Sequence, residues 1–126
     1  MREILFRGKR TDNGEWAYGY VCRYGWTGKE NTYIVPNYAS ALYSIEVISE
    51  TVGQYTGLKD KNGTKIFEGD IVLLKGYDEP YQVVFDESCF LVYDSSVCYV
   101  MDNFYDYEIE VIGNIYDNPE LLGGNG

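Results

Sequence analysis

Twenty carboxylates, fourteen tyrosines and three cysteines are the side chains of this sequence with chemistry to offer, and no histidine works with them. Without an imidazole, Ser-His and Cys-His catalysis lacks its base, and a His-ligated metal site lacks its ligand. What remains is carboxylate chemistry. Asp60-Lys61-Asn62 opens like a calcium loop, but Lys65 stands at the sixth position, where the turn requires glycine. Ile71 stands at the twelfth, where a bidentate glutamate belongs. Gly57 and Gly63 bracket five residues as in a phosphate-binding loop, yet Thr64 follows where Lys-Ser/Thr is needed, and no GxGxxG occurs. Paired acids run glycoside hydrolysis, but with this many carboxylates some pairs fall together by chance, and none is singled out. Asp102, Asp106 and Glu108 are spaced either to gather round a hard cation or to form a solvated acidic edge, and the edge is the expected reading. The expectation is a protein that is not an enzyme, with no catalytic residue, no cofactor and no metal.

The cysteines, Cys22, Cys89 and Cys98, are odd in number and have no CxxC spacing, which argues against a disulfide framework and against zinc. They read as small, buried or half-buried residues in a reducing cytoplasm. The apolar run near Met1 is three residues long and is closed by Arg7, Lys9 and Arg10. A signal peptide needs roughly 7–15 apolar residues there, and no run approaches the roughly 18 that span a bilayer. A soluble, cytoplasmic protein without membrane contact is expected.

Tyrosine combines a large apolar face with a hydroxyl at low entropic cost, and it is enriched at interfaces. Tyr18 and Tyr20 alternate with Ala17 and Gly19, so they share one face of a strand. The stretch Met101–Tyr107 interleaves aromatics with acids: Asp102, Tyr105, Asp106 and Tyr107. These six residues, Tyr18, Tyr20, Asp102, Tyr105, Asp106 and Tyr107, are the candidate interface. Tyr24, Trp26, Tyr33, Tyr38 and Tyr43 continue the aromatic text.

The elements that must position these groups are strands. The chain has 126 residues, 45% hydrophobic and 24% charged, the profile of one globular domain or two small subdomains. Short apolar runs of period two alternate with turn signals. Asn13-Gly14 and Asn62-Gly63 read as type I′ hairpin turns, with both central residues at positive φ. The first joins Ile4–Arg10 to Trp16–Tyr24, and the second joins Gln54–Leu58 to Lys65–Phe67. Thr32–Val35, Ile45–Ile48, Asp70–Leu74, Tyr81–Phe85, Phe90–Tyr93 and Glu108–Tyr116 are further strands, with a loop over residues 36–43 and turns at 76–79 and 86–88. Ile109 and Val111 are expected on the buried face of the last strand. Asp117-Asn118-Pro119 starts one short helical turn before a frayed tail, 123–126.

The net charge is −10 with a pI near 4.3. Residues 1–63 hold eight basic and seven acidic side chains, whereas 64–126 hold two and thirteen. The architecture expected is mostly β: an N-terminal β-meander (1–63) packed on a small C-terminal SH3-like, barrel-type β subdomain (64–122), within one domain. A surface this acidic disfavours ordinary nucleic-acid binding. The cluster Arg2, Arg7, Lys9 and Arg10 reads as the charged flank of an edge strand.

The run Gln54-Tyr55-Thr56-Gly57-Leu58-Lys59-Asp60-Lys61-Asn62-Gly63, followed by Phe67-Glu68-Gly69-Asp70-Ile71-Val72, resembles the YopX family of phage and prophage proteins. The opening Arg2–Arg7 and the closing Val111–Leu122 resemble that family's ends. The resemblance implies a phage or prophage origin, a mostly-β fold and a homo-oligomer. It implies no established activity and supplies no catalytic residue. Read from its residues, the motif is a folding element or a partner surface built on a turn. Gly57, Gly63 and Gly69 mark turns or bulges, and Asp70 is placed to bond nearby amides and fix a corner.

The function expected is that of an accessory protein acting by protein contact, its acidic, Tyr-rich surface meeting a basic host protein as a duplex would. The alternative is a small-molecule or carbohydrate-binding β module, since Tyr and Trp faces stack on sugar rings.

Overall fold

The computed structural model describes residues 4–25, 30–36, 44–86, 88–94 and 97–122. The expected loop over 36–43 beyond Pro36, the tail 123–126, and Trp26, Tyr38 and Tyr43 lie outside them. Eleven strands are found among the described residues, with short 3-10 turns and no longer helix. The mostly-β expectation holds. The chain divides into two compact units, Met1–Tyr55 and Thr56–Gly126.

In the first unit β1 (Phe6–Lys9), β2 (Trp16–Tyr24), β3 (Asn31–Val35) and β4 (Ile45–Val47) follow one another as antiparallel neighbours. β1 also pairs with the start of β5 (Gly53–Lys59), Phe6 opposite Gln54 and Arg7 opposite Gly53. Beyond that point β1 meets β4. Arg10 bridges Val47, and the Ile48 amide donates to the Lys9 carbonyl at 2.8 Å. The Thr51 hydroxyl continues this seam, accepting from the Lys9 amide at 2.9 Å and donating to the Ile48 carbonyl at 2.6 Å. The sheet therefore closes on itself. Alternation puts Ala17, Ile34 and Val47 inside, with Phe6, Val21, Ile45 and Val52 packed around them. Gly19 is required by crowding: a Cβ there would stand 2.2 Å from the Val35 carbonyl oxygen.

In the second unit the rest of β5 pairs with β6 (Lys65–Phe67). Five strands form an antiparallel sheet in the order β10-β9-β8-β7-β11. These are β7 (Asp70–Leu74), β8 (Tyr81–Asp86), β9 (Cys89–Tyr93), β10 (Cys98–Val100) and β11 (Ile109–Asn114). Their core holds Ile66, Val72, Leu74, Val83, Val92, Met101 and Ile109. Ile109 is buried, while Val111 is half-buried and the ladder bulges between Val111 and Gly113. The expected C-terminal helical turn is a 3-10 turn, Pro119–Leu122.

Both Asn-Gly hairpins form, but not with type I′ turns. Gly14 and Gly63 have positive φ, whereas Ser88 is the only non-glycine residue with positive φ among the described residues. Asn13 and Asn62 instead act through neighbouring hydrogen bonds. At the first hairpin, Gly14 donates to the Arg10 carbonyl and the Asn13 side chain accepts from the Glu15 amide at 2.9 Å, giving a four-residue loop. At the second, Gly63 donates to the Asp60 carbonyl at 3.0 Å, the pattern of a three-residue loop with a left-handed glycine at its end. The cysteines are free. Cys22 and Cys89 are half-buried as expected, but Cys98 is exposed, at the start of β10, the edge strand of the five-stranded sheet.

Candidate functional site

Two regions of the second unit deserve a chemical reading: the family-like hairpin and the acidic aromatic segment after β10. In the hairpin, Asp60 is buried to 3% exposure at the tip between β5 and β6. One carboxylate oxygen accepts from the Asn62 and Thr64 amides, each at 2.9 Å. The other accepts from the Val111 amide of β11, 51 residues away, at 2.9 Å. The Lys61 amide donates to the Ile109 carbonyl at 2.9 Å, so the tip is fastened to the outer edge of β11 by two bonds. Burial alone would raise the Asp60 pKa. The Val111, Thr64 and Asn62 amides and the Lys61 charge outweigh it and hold the carboxyl below its ordinary value of 3.8.

The rest of the motif is likewise at work in the backbone. The Thr56 hydroxyl accepts from the Leu58 amide at 3.1 Å around Gly57, whose φ is 90°. Asp70, also buried, accepts from the Phe67 amide at 2.7 Å, fixing the corner from β6 to β7 as its place in the sequence suggested. Between them Gly69, at φ 94°, donates to the Val83 carbonyl and accepts from the Ile115 amide. Gln54 and Tyr55 belong to the first unit, where the Tyr55 amide donates to the Leu5 carbonyl at 2.8 Å. Glu68 is half-buried, and Asn62 and Gly63 are exposed at the tip.

The acidic segment is built from two 3-10 turns, Met101–Asn103 and Asp106–Glu108. Met101 is fully buried and anchors the first. Phe104 packs edge-on against Tyr77 and Tyr99, with centroids 6.1 and 6.0 Å away. Glu108 reaches back to accept from the Tyr105 amide at 2.8 Å, and Asp106 accepts from the Tyr107 amide at 2.8 Å. These bonds throw two rings outward: Tyr105 is 67% exposed and Tyr107 59%. The rings stack in parallel, 5.5 Å between centroids and 5° between planes. Asp102 and Asp106 are exposed on the same segment. The Lys75 ammonium stands 5.9 Å from the Tyr107 centroid, so that ring already faces a cation.

Beside Tyr107 lies a cleft of about 390 Å³, lined in part by Leu73, Lys75 and Tyr77. Lys61 and Glu110, 3.3 Å apart, also line it. Residues 56–126 carry four lysines against fourteen carboxylates, a net of −10, and residues 1–55 carry six basic against six acidic side chains. Of the candidate interface residues, Tyr105 and Tyr107 are brought together as a stacked pair, and Asp102 and Asp106 are exposed on the same segment. Tyr18 and Tyr20 share a strand face in the first unit, 46% and 54% exposed. Lys75 and Tyr77 were missing from the sequence reading, because they lie in the turn after β7 and no local spacing ties them to Tyr107. Among the described residues, no three carboxylates or thiols stand close enough to hold one metal ion. No described helix is long and apolar enough to cross a membrane.

Comparison with known proteins turns on one match: the family model described as YopX protein covers residues 5–123. The chain belongs to the YopX family. The match begins before β1 and runs past the last 3-10 turn, so the Asp60 fastening and the acidic segment of this YopX chain both lie inside it. A crystal structure of protein EF1440 from Enterococcus faecalis is similar, with a TM-score of 0.56 at 24% identity. The alignment covers 97% of this chain and 99% of that one. At that identity the likeness speaks to the fold alone. No curated protein matches the chain.

Proposed function

We propose that this YopX protein is a phage-type accessory protein, not an enzyme, which acts in the host cytoplasm by binding a basic segment of a host protein. The observation that carries the reading is the Tyr105–Tyr107 pair, held outward in a unit of net charge −10, with one ring facing an ammonium group. Negative potential steers a basic partner, and ring faces take its lysine or arginine side chains. A partner that normally holds nucleic acid offers such a segment, and the acidic unit then competes as a duplex mimic. The protein works as a homo-oligomer, which light scattering after gel filtration tests; a strict monomer removes that part.

The decisive experiment is affinity capture from host lysate at low and high salt, run beside a Tyr105→Ala/Tyr107→Ala variant. A retained basic protein that is lost with the two rings and released by salt supports the reading. Retention of nothing at either salt refutes it. The cleft beside Tyr107 favours a second reading, a small-molecule or carbohydrate site. A salt-insensitive thermal shift with a sugar, lost in Tyr107→Ala, would select it.

A further inference from the structure

The two edges of the five-stranded sheet differ. At one edge β11 is covered, because the Lys61 amide donates to the Ile109 carbonyl and the Val111 amide donates to the Asp60 carboxylate. At the other edge β10 has no second strand beside it among the described residues. The register fixes which of its backbone groups point away. The Asp94 amide donates to the Val97 carbonyl, so these two form a hydrogen-bonded pair, and such pairs alternate along an antiparallel ladder. Tyr99, opposite Val92, belongs to the next bonded pair. Cys98 and Val100, opposite Tyr93 and Leu91, fall between and turn their backbone groups outward. The Val100 carbonyl is used as the cap of the 3-10 turn that follows. The Cys98 amide and carbonyl and the Val100 amide remain for another chain.

Edges of this kind are ordinarily guarded by lysine, proline, a bulge or an inward-pointing charge. Val97-Cys98-Tyr99-Val100 contains none of them, and only the shortness of β10 limits growth of the sheet. Val97, Cys98 and Val100 are exposed. The surroundings are negative. From Gly76 to Gly126 the sequence has eleven carboxylates and no lysine or arginine. Asp94 and Asp102 flank the strand in sequence, and Asp102 is exposed. The Phe104 ring packs on Tyr99, so the segment that carries Tyr105 and Tyr107 starts against β10. A second copy offering the same edge would bring like charges together, whereas a cationic strand would be drawn in.

We propose that β10 receives an extended basic peptide as an added strand, bonded to the outward backbone groups of Cys98 and Val100. This rests on the basic partner proposed above and adds the way in which that partner is held. In strand addition the main chain supplies affinity and alternate side chains supply specificity. Side chains laid beside Cys98 and Val100 meet an uncharged face, with Tyr93 and Leu91 next across the ladder. The peptide that fits therefore alternates apolar with basic residues.

The test is fluorescence anisotropy of a short labelled peptide alternating lysine with valine, titrated with the full chain beside a glutamate–valine peptide. Saturable binding of the lysine peptide alone is expected. Val100 already has a φ of −70°, the angle proline imposes, so Val100→Pro removes the outward amide without opposing the fold. It should weaken binding by about tenfold, and Val100→Thr, which keeps the amide, should not. Cys98→Lys places a guarding charge at an exposed position and should weaken binding too. An unchanged circular dichroism spectrum certifies the variants as folded. In hydrogen exchange followed by NMR, the Cys98 and Val100 amides should be open in the free protein and the Tyr99 amide protected, and the lysine peptide should slow both open amides. If that peptide binds but is indifferent to Val100→Pro and Cys98→Lys and protects neither amide, strand addition is overturned while the basic-partner reading stands. Absence of binding, or equal binding of the glutamate peptide, overturns it too, and capture from lysate then judges the basic-partner reading by itself. Protection of the same amides at high protein concentration without peptide would assign the edge to a second copy and likewise overturn the proposal.

Discussion

Asp60→Asn isolates the fastening of the hairpin tip to β11. The parent carboxylate accepts three backbone amides, two on one oxygen and one on the other. Asparagine keeps one acceptor oxygen and puts an NH2 where the second stood. If the oxygen stays with Asn62 and Thr64, the NH2 faces the Val111 amide donor to donor. Bonds to a charged acceptor contribute about 1.5–3 kcal/mol, and a buried orphan donor costs about 1–3 kcal/mol. We predict a loss of about 2–4 kcal/mol at neutral pH, against a total stability of about 5–15 kcal/mol. At about 4 °C per kcal/mol for a domain of this size, the midpoint falls by about 8–16 °C. The effect depends on pH in a defined direction. The folded pKa lies below the ordinary carboxyl value of 3.8, so the carboxylate's contribution is complete above that value and is lost as pH falls through the folded one. A protonated carboxyl, like the amide, has one good acceptor. Urea melts followed by circular dichroism should therefore show a constant gap between parent and variant from pH 7 to about 5, closing below 3.8. A gap under about 1 kcal/mol at pH 7, or one that persists undiminished in acid, would refute the role given to Asp60.

Two glycines should separate crowding from backbone conformation. Gly19→Ala drives a Cβ to within 2.2 Å of the Val35 carbonyl oxygen and should cost at least about 2–3 kcal/mol, whereas Gly14→Ala meets nothing within 4 Å and should cost only the left-handed conformation, about 1 kcal/mol; equal melting temperatures for the pair would contradict this. Ile66→Ala empties a fully buried position and should cost about 2–5 kcal/mol in a denaturant melt. In a thiol titration of the native protein, Cys98 should react first, with Cys22 and Cys89 slower because they are half-buried; mass mapping of the labelled cysteine checks the order.

Most of the strands were legible because each is a short run of period two between turn residues. The corner at Asp70 was legible too, since its partner, Phe67, is three residues away. The turn type was not. Asn-Gly tolerates positive φ at both residues, but the Asn13 and Asp60 side chains bind the loop amides and select longer loops with only the glycine left-handed. β10 was missed, because Cys98-Tyr99-Val100 is too short to show a period. The acidic segment was visible as composition, but the 3-10 turns that aim Tyr105 and Tyr107 depend on the burial of Met101 and on Phe104 packing against Tyr77, a residue from another loop. The bond from Asp60 to Val111 leaves no local trace in the sequence at all.

That separation has a consequence for biosynthesis. A ribosome adds about 5–20 residues per second, so the 51 residues between Asp60 and Val111 take roughly 3–10 s to emerge. During that interval the newly made hairpin carries a carboxylate whose distant partner does not yet exist, and the corresponding lock cannot engage. A stalled or prematurely terminated nascent chain would expose this unfinished tip to cellular proteases, whereas a full-length chain would conceal it.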